Sequence, residues 1–458
     1  MLVVWLKRRG FAGRRNVTNH YWVMEDILPQ PSSRKGHSVP DPWVLPRVEP
    51  TTLILAWPHR EPPPLTSVTA ALSSSAHSEV LDESTHESPL VQWSLHCRVP
   101  PHPMPVILWC ESSSARCTKG THHSVKQCPW IIGLGTQLDA RDPLQCYGGL
   151  VRLITSAFEE STALYDSGSA SWHTRKELED LFLSSGAEPP AEILWGIHAV
   201  STGRSGVWLH THGLWRCGRI ELEMLEVPKA KVDAAGSLIN TVAELLLDSE
   251  PPPPGHPYHV GTEIQVAFQP WQKVAPFLRD GVPGCMGDRR AEGENPHTGV
   301  RAVVCSARPC GPSRSEWKWP RSAVERFAAD DAVVFRTERA TRRQQDVARA
   351  LWPELAMAFF SLQGCQQVKF FVKVGFQSGC RTREIAHEHV WLRIQRIHGN
   401  DIEGELTSQP LFVSGMKQGD MVRISAALLS DWVAETPLGD FGPQQVDGLR
   451  GAVGQLRA

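Results

Sequence analysis

Short apolar runs that end at proline or glycine constrain the fold of this chain more than any other feature. Thr52 to Trp57 is strand-like and stops at Pro58, and Trp130 to Gly135 reads as a buried strand. Further short strands are predicted at Val91 to Cys97, Pro105 to Cys110, Ala163 to Tyr165, Leu194 to Val200, Val207 to Leu214 and Glu263 to Phe268. With 36 Pro and 36 Gly among 458 residues, we expect frequent turns between these strands.

Three segments carry the periodicity of helices, namely Leu150 to Phe158, Ala234 to Leu247, and Arg339 to Phe360 with a restart at Pro353. Four more strands follow the last helical segment, at Val368 to Phe376, His389 to Ile397, Asp401 to Leu406 and Met421 to Ser425. Glycines at 399 and 419 accept the positive φ that turns between such strands require. The predicted fold class is α+β, with two domains of mostly antiparallel sheet and packed helices.

The chain is longer than a single hydrophobic core usually supports, so two domains are expected. Residues 1–47 carry Arg, Pro and Ser without an apolar period, which predicts a disordered segment or a true start at Met24. Serine-rich residues 73–85 are predicted to form a loop. The predicted divisions are an α+β domain over 48–307, a Gly-, Pro- and Arg-rich linker over 308–330, a small α+β domain over 331–435, and a loose tail over 436–458.

Composition argues against several classes of protein. A formal net charge of −2 provides no overall field for nucleic acid or an anionic membrane, so neither partner is expected. No stretch approaches the roughly 20 apolar residues of a membrane helix. The 11 cysteines form no C-x-x-C pair, which favours reduced, buried thiols and a cytoplasmic location.

The run from Trp208 to Leu214 places two histidines two residues apart in one probable strand. His210 and His212 then share a strand face, and Glu221 and Glu223 share a face of the returning strand. If these faces meet, the four side chains predict a site for Zn²⁺, Mn²⁺ or Fe²⁺, and an open position there could activate water. If they do not, histidine and glutamate are ordinary cross-strand partners. The hairpin register decides between the two readings.

A second group of candidate residues lies near the C-terminus. His389 and Trp391 share one face of a predicted strand, while Val390 and Leu392 form its apolar face. Together with Asp431 and Trp432 they form a candidate ligand surface: His389, Trp391, Asp431, Trp432. For His389, the alternative is that it lies on a solvated strand face. For Asp431-Trp432, the alternative is that the indole packs over the sheet while the carboxylate caps a turn.

Two stretches resemble families that are themselves uncharacterised. Residues 345–434 resemble the YegJ-like bacterial domains of unknown function, through the motifs Phe370-Phe371-Val372-Lys373-Val374, Glu388-His389-Val390-Trp391, Ile402-Glu403-Gly404-Glu405-Leu406, Gln409-Pro410-Leu411, Met416-Lys417-Gln418-Gly419-Asp420 and Ser430-Asp431-Trp432. Residues 130–275 are similar to a second bacterial family through Trp208-Leu209-His210-Thr211-His212-Gly213-Leu214, Glu221-Leu222-Glu223 and Gln269-Pro270-Trp271. The resemblance implies a bacterial cytoplasmic protein and carries no established activity.

Other catalytic patterns are missing from the sequence. Gly133 and Gly135 lack the third glycine of a dinucleotide-binding turn, and no G-x-S-x-G occurs. No cofactor is expected, apart from Zn²⁺ or another divalent metal at the histidine motif. The sequence therefore favours a non-catalytic protein that binds a partner protein, of an immunity or stress type, since tryptophan-rich strands are typical of interfaces. The alternative is a metal-dependent hydrolase that uses His210, His212, Glu221 and Glu223.

Overall fold

The structure is a computed structural model. It describes residues 2–6, 20–24, 42–45, 48–74, 78–85, 91–99, 102, 104–113, 128–179, 189–201, 206–291, 296–307, 317–329, 332–377, 387–407, 409–410 and 413–457. The chain divides into two compact units, which we call the first unit (residues 42–228 and 270–303) and the second unit (residues 1–41, 229–269 and 304–458). Both combine helices with mostly antiparallel strands, which confirms the predicted α+β class.

The larger sheet of the first unit is antiparallel. Its strands lie in the order Glu79–Thr85, Val91–Arg98, Val106–Ser112, Trp130–Thr136, Thr51–Trp57, Ala163–Asp166 and Ser171–Thr174. The central strands form the core because their apolar residues are almost completely buried, as for Leu53, Leu55 and Ile132. The helices of this unit are Leu65–Ser74, Pro143–Ala157, Arg175–Leu178, Trp271–Val274 and Met286–Ala291.

A second, smaller set of strands in the first unit carries the histidine motif. Gly196–Val200 pairs antiparallel with Val207–His212, which pairs antiparallel with Glu221–Val227. Residues 221–223 of that strand then pair in parallel with residues 301–303, the beginning of the strand Arg301–Ser306. This parallel pair brings a distant part of the chain alongside the motif.

The second unit combines strands that pair with one another and a core of its own. Its strands are Leu2–Leu6, His20–Met24, Tyr258–Gly261, Ile264–Pro270, Val333–Thr337, Lys369–Gln377, His387–His398, Asp401–Leu406, Met421–Ser425, Leu429–Thr436 and Gly439–Phe441. Its helices are Val232–Asp248, Arg321–Phe327, Glu338–Ala350, Trp352–Ser361 and Val446–Arg457. Trp352, Leu355, Val372, Leu392 and Trp432 contribute to one buried cluster. Glycines 399 and 419 have φ of 61° and 89° in the predicted turns.

Two segments differ from the sequence predictions, and two others lie largely or partly outside the described residues. The predicted tail contains the helix Val446–Arg457, whose Leu449 packs into the core and whose Ala452 is buried. Residues 79–85, predicted as part of a loop, form an edge strand. Within the predicted linker, residues 308–316 and 330 lie outside the described residues, while Arg321–Phe327 is helical. Most of the segment predicted as disordered, 1–47, also lies outside them; its strands at 2–6 and 20–24 pair with Val333–Thr337 and His387–His398 respectively.

Among the described residues, every helix is too short or too polar to traverse a lipid bilayer.

Candidate metal centre

Three histidines converge on one face of the small strand set. The register places His198 directly opposite His210, so their side chains leave the same face, and His212 joins them two residues further along. The ring centroid of His198 lies 4.6 Å from that of His212 and 5.6 Å from that of His210. One ligand nitrogen from each of the three lies within 4.8 Å of the others.

A fourth histidine reaches the same place from a turn. His297 belongs to the short 3-10 helix Pro296–Thr298, and its Nε2 lies 3.1 Å from the Nε2 of His210 and 3.3 Å from the Nε2 of His212. At such distances a neutral imidazole donates to, or accepts from, its neighbour. The site is therefore a cluster of four imidazoles, which we call the histidine cluster: His198, His210, His212 and His297.

The backbone around His297 is held by three side-chain donors. Arg289 Nη1 donates to the His297 carbonyl oxygen at 2.9 Å. Trp271 Nε1 donates to the carbonyl of Gly299 at 3.0 Å, and Trp215 Nε1 to that of Val300 at 2.8 Å. Because three side chains fix consecutive parts of this turn, the His297 ring enters the cluster from a preorganised backbone.

Glu223, a predicted metal ligand, accepts hydrogen bonds from two neighbouring side chains. It pairs in register with His210 and is fully buried. Its Oε1 accepts from Arg289 Nη2 at 2.6 Å, and its Oε2 accepts from Trp208 Nε1 at 3.2 Å. The Trp208 ring in turn packs against His210 and His297, at centroid distances of 4.3 Å and 4.9 Å. Glu223 therefore touches the groups that position the imidazoles.

Glu221, the second predicted carboxylate ligand, supports the turn after the histidines. Its Oε1 accepts from the backbone N–H groups of Gly213 and Leu214 at 2.8 Å and 2.9 Å, and its Oε2 accepts from the Thr211 hydroxyl. Gly213 has φ of 115°, and a Cβ there would lie 2.4 Å from the Leu194 carbonyl oxygen. The glycine of the motif is thus required by the backbone of this turn.

A buried ion pair anchors the same turn. Arg216 donates through both terminal nitrogens to the Asp166 carboxylate, at 2.6 Å and 2.7 Å, and the Tyr147 hydroxyl donates to Asp166 at 2.8 Å. Burial acts to raise the pKa of Asp166, but the Arg216 charge and these hydrogen bonds hold that pKa below its usual value. The carboxylate is therefore ionised at neutral pH.

Three imidazoles of the histidine cluster, those of His210, His212 and His297, are neutral at physiological pH. Burial, and then the charge of Arg301, lower the pKa of His212 to about 3 and that of His297 to about 4. The same two causes lower the pKa of His210 further. Arg301 Nη1 donates to the carbonyl of Thr211, between the two histidines, at 3.2 Å. Neutral imidazoles carry the nitrogen lone pairs that transition metals bind.

The structure therefore brings His210 and His212 together and adds His198 and His297, while both predicted carboxylates contact other groups. His198 lies in a predicted strand that directly precedes the motif, so a hairpin between the two strands would have identified it. His297 lies in a Gly-, Pro- and Arg-rich stretch with no apolar period. The parallel pairing of Glu221 with Arg301 brings that stretch to the site.

The second group of candidate residues, predicted as a ligand surface, is largely buried. His389 and Trp391 are buried, and His389 Nδ1 lies 2.9 Å from the Ser430 hydroxyl. Trp432 is in the core, where its Nε1 donates to the Ala348 carbonyl oxygen. Asp431 accepts from Gln344 Nε2 at 3.1 Å. The helix Glu338–Ala350 packs against the strand Leu429–Thr436, which carries half-buried Asp431 and buried Trp432.

Two stretches of the chain match models of families whose functions are undefined. A model described as "Protein of unknown function (DUF4026) C-terminal" matches residues 197–304, which include all four members of the histidine cluster. A model described as "Uncharacterized protein conserved in bacteria (DUF2314)" matches residues 338–453. The first match begins and ends later than the predicted 130–275, and the second extends beyond the predicted 345–434 at both ends.

No curated protein and no solved structure matches the chain.

Proposed function

We propose that this protein binds a divalent transition metal ion through His198, His210, His212 and His297. The observation that carries the proposal is the spacing of the ligand nitrogens. Tetrahedral Zn²⁺ with Zn–N bonds of about 2.0–2.1 Å requires neighbouring nitrogens about 3.3–3.4 Å apart. The Nε2 atom of His297 lies 3.1 Å and 3.3 Å from its two neighbours, close to that requirement.

The donor set limits which metals fit. Imidazole nitrogen suits Zn²⁺, Cu²⁺, Ni²⁺ and Fe²⁺, whereas Mg²⁺ and Ca²⁺ prefer oxygen ligands. The pKa values of His210, His212 and His297 are lowered, so no proton has to leave them before a metal binds at pH 7. Both features favour Zn²⁺ or a neighbouring transition metal.

The surrounding groups support a fixed geometry for that ion. Ligating histidines usually depend on hydrogen-bonded neighbours that orient their rings. Here Trp208 packs on two of the four rings, and Glu223 together with Arg289 fixes both Trp208 and the His297 backbone. Glu223 is proposed to orient the ligands, in place of the ligand role predicted for it from the sequence.

The proposal is tested by equilibrium dialysis of the purified protein against Zn²⁺ buffered at graded free concentrations. We expect one Zn²⁺ per chain for the native protein and loss of that binding in His210→Ala. His96→Ala is the matched control, because His96 is an exposed strand histidine of the same unit. Equal Zn²⁺ binding by native protein and His210→Ala, or none by either, would overturn the proposal.

The remaining predictions about function stay predictions. A metal-dependent hydrolase would need an open metal position, and the carboxylates of Glu221 and Glu223 would act through their neighbours rather than as ligands. The protein-binding or immunity-type role, the YegJ-like relationship and the bacterial cytoplasmic setting are retained as proposals. The bacterial setting is supported by the description of the family matched over residues 338–453.

A further inference from the structure

The number of protein ligands around a metal ion limits what the ion can do. Structural Zn²⁺ sites have four protein ligands, whereas catalytic sites keep one position open for water or substrate. The histidine cluster offers four imidazoles, three from neighbouring strands and one from the turn at His297. The carboxylates of Glu221 and Glu223 accept hydrogen bonds from other groups. A tetrahedral ion held by all four imidazoles would therefore have a complete set of protein ligands.

The four ligands belong to two parts of the site that are held in different ways. His198 and His210 lie opposite one another in an antiparallel strand pair, and His212 follows on the same strand, so backbone hydrogen bonds fix their spacing. His297 lies in the 3-10 helix Pro296–Thr298, outside the strands, and 85 positions separate it from His212. An ion bound by all four would therefore connect this turn to the paired strands.

The turn is exposed enough to open locally. Thr298 is exposed, while His297, Gly299 and Val300 are half-buried. Side-chain donors hold the backbone here, as where Arg289 Nη1 donates to the His297 carbonyl oxygen. Segments with few buried contacts open at a lower free-energy cost than core strands do. When the turn opens, His297 would leave the ion, and three imidazoles would remain to bind it.

We infer that the bound ion is a structural cross-link, which holds the turn Pro296–Thr298 against the histidine-bearing strands. The inference rests on the proposed metal binding and adds the role of the ion. A ligand shifts a conformational equilibrium by its differential affinity for the two states. Opening of the turn should therefore become less favourable by the ratio of the metal affinities with four and with three imidazole ligands.

Hydrogen–deuterium exchange of the full chain, followed by mass spectrometry of its peptides, tests the cross-link. Exchange is compared without metal and with saturating Zn²⁺. We expect Zn²⁺ to slow exchange of the backbone amides of residues 297–300 roughly 5- to 150-fold, the usual range of such a coupling. This factor should be similar to the factor by which His297→Ala weakens Zn²⁺ binding in dialysis, because both measure the contribution of the fourth ligand.

Two variants separate the cross-link from a general gain in stability. His297→Ala and His198→Ala each remove one of the four ligands, so each should bind Zn²⁺ more weakly. At Zn²⁺ concentrations that saturate each variant, exchange at residues 297–300 should be slowed in His198→Ala, where His297 still binds the ion. In His297→Ala, Zn²⁺ should leave exchange at the same residues unchanged.

The outcomes distinguish the cross-link from the proposed function. Native protein that binds one Zn²⁺ without slower exchange at residues 297–300, or equal slowing in His297→Ala, would overturn the cross-link and leave metal binding intact. Failure of the native protein to bind Zn²⁺ would overturn both. If either variant does not fold, the comparison of native protein with and without Zn²⁺ decides the inference.

Discussion

The Nε2 atoms of His297 and His210 lie 3.1 Å apart, although 87 positions separate the two residues in the chain. Two imidazole nitrogens come this close when they share one proton or one metal ion. The contact depends on the strand Arg301–Ser306, whose first residues run parallel to those of Glu221–Val227. The metal proposal and its predictions follow from this relationship.

Trp208 should report on metal binding. Its ring lies 4.3 Å from the His210 ring and 4.9 Å from the His297 ring, so a paramagnetic ion at the cluster would lie next to the indole. Addition of Cu²⁺ should quench part of the tryptophan fluorescence, saturating at one ion per chain. Trp208→Phe should lose most of that quenching at Cu²⁺ concentrations that still saturate the site, and it should bind Zn²⁺ more weakly because it lacks the hydrogen bond to Glu223. Equal quenching in the variant would mean that Cu²⁺ binds elsewhere.

Replacing Glu223 by Gln should affect both stability and metal affinity. The change removes the charge partner of buried Arg289, and such a loss typically costs about 3–5 kcal/mol of the free energy of unfolding. Because the same carboxylate orients Trp208 and Arg289, Zn²⁺ affinity should also fall about 10- to 100-fold. Urea unfolding and Zn²⁺ dialysis measure the two effects. Glu192→Gln, at an exposed position of the same unit, should change neither.

The Asp166–Arg216 pair should make stability depend on pH. The pKa of Asp166 is lowered in the folded state from its ordinary 3.8, so its contribution is present above that pH and lost as the pH falls below it. Asp166→Asn should therefore cost about 3–5 kcal/mol at pH 7, because Arg216 remains buried without its charge partner. The difference from the native protein should shrink in acid. Asp82→Asn, on an exposed edge strand, serves as the control, and a difference independent of pH would contradict the account.

Buried thiols should resist alkylation while the protein is folded. Burial raises the pKa of Cys97 to about 11, and it raises the pKa values of Cys110 and Cys217 to about 12, with smaller contributions from nearby charges. At pH 8 about one thiol in a thousand or fewer would then be ionised. Iodoacetamide should leave the peptides containing these three residues unmodified in native protein and label them fully in denaturant. Rapid native labelling of any of the three would contradict the burial.

Local patterns predicted those elements whose periodicity is strong. Ala234 to Leu247 became the helix Val232–Asp248 because one face of it is continuously apolar. The edge strand Glu79–Thr85 escaped prediction because most of its side chains are exposed and polar, which removes the alternation expected of a half-buried strand. The helix Val446–Arg457 contains three glycines, which weaken helix propensity, and it is stabilised by the burial of Leu449 and Ala452.

The candidate site was predictable in part. Alternation along one strand suffices to place His210 and His212 on a common face, since that depends only on local geometry. The partners of those histidines depend on register and on a pairing between strands far apart in sequence. His198 is found through the register of one hairpin, whereas His297 requires the parallel pairing of residues 221–223 with residues 301–303. The spacing of Glu221 and Glu223 in the sequence does not reveal which groups donate hydrogen bonds to their carboxylates.

X-ray absorption spectroscopy of protein loaded with one equivalent of Zn²⁺ tests the central claim most directly. The account predicts a first shell of nitrogen or oxygen near 2.0–2.1 Å, with the outer-shell scattering of at least three imidazoles. That imidazole signal should fall in His210→Ala and be unchanged in His96→Ala. A sulfur shell near 2.3 Å, or scattering from fewer than three imidazoles, would contradict a metal centre built from these four histidines.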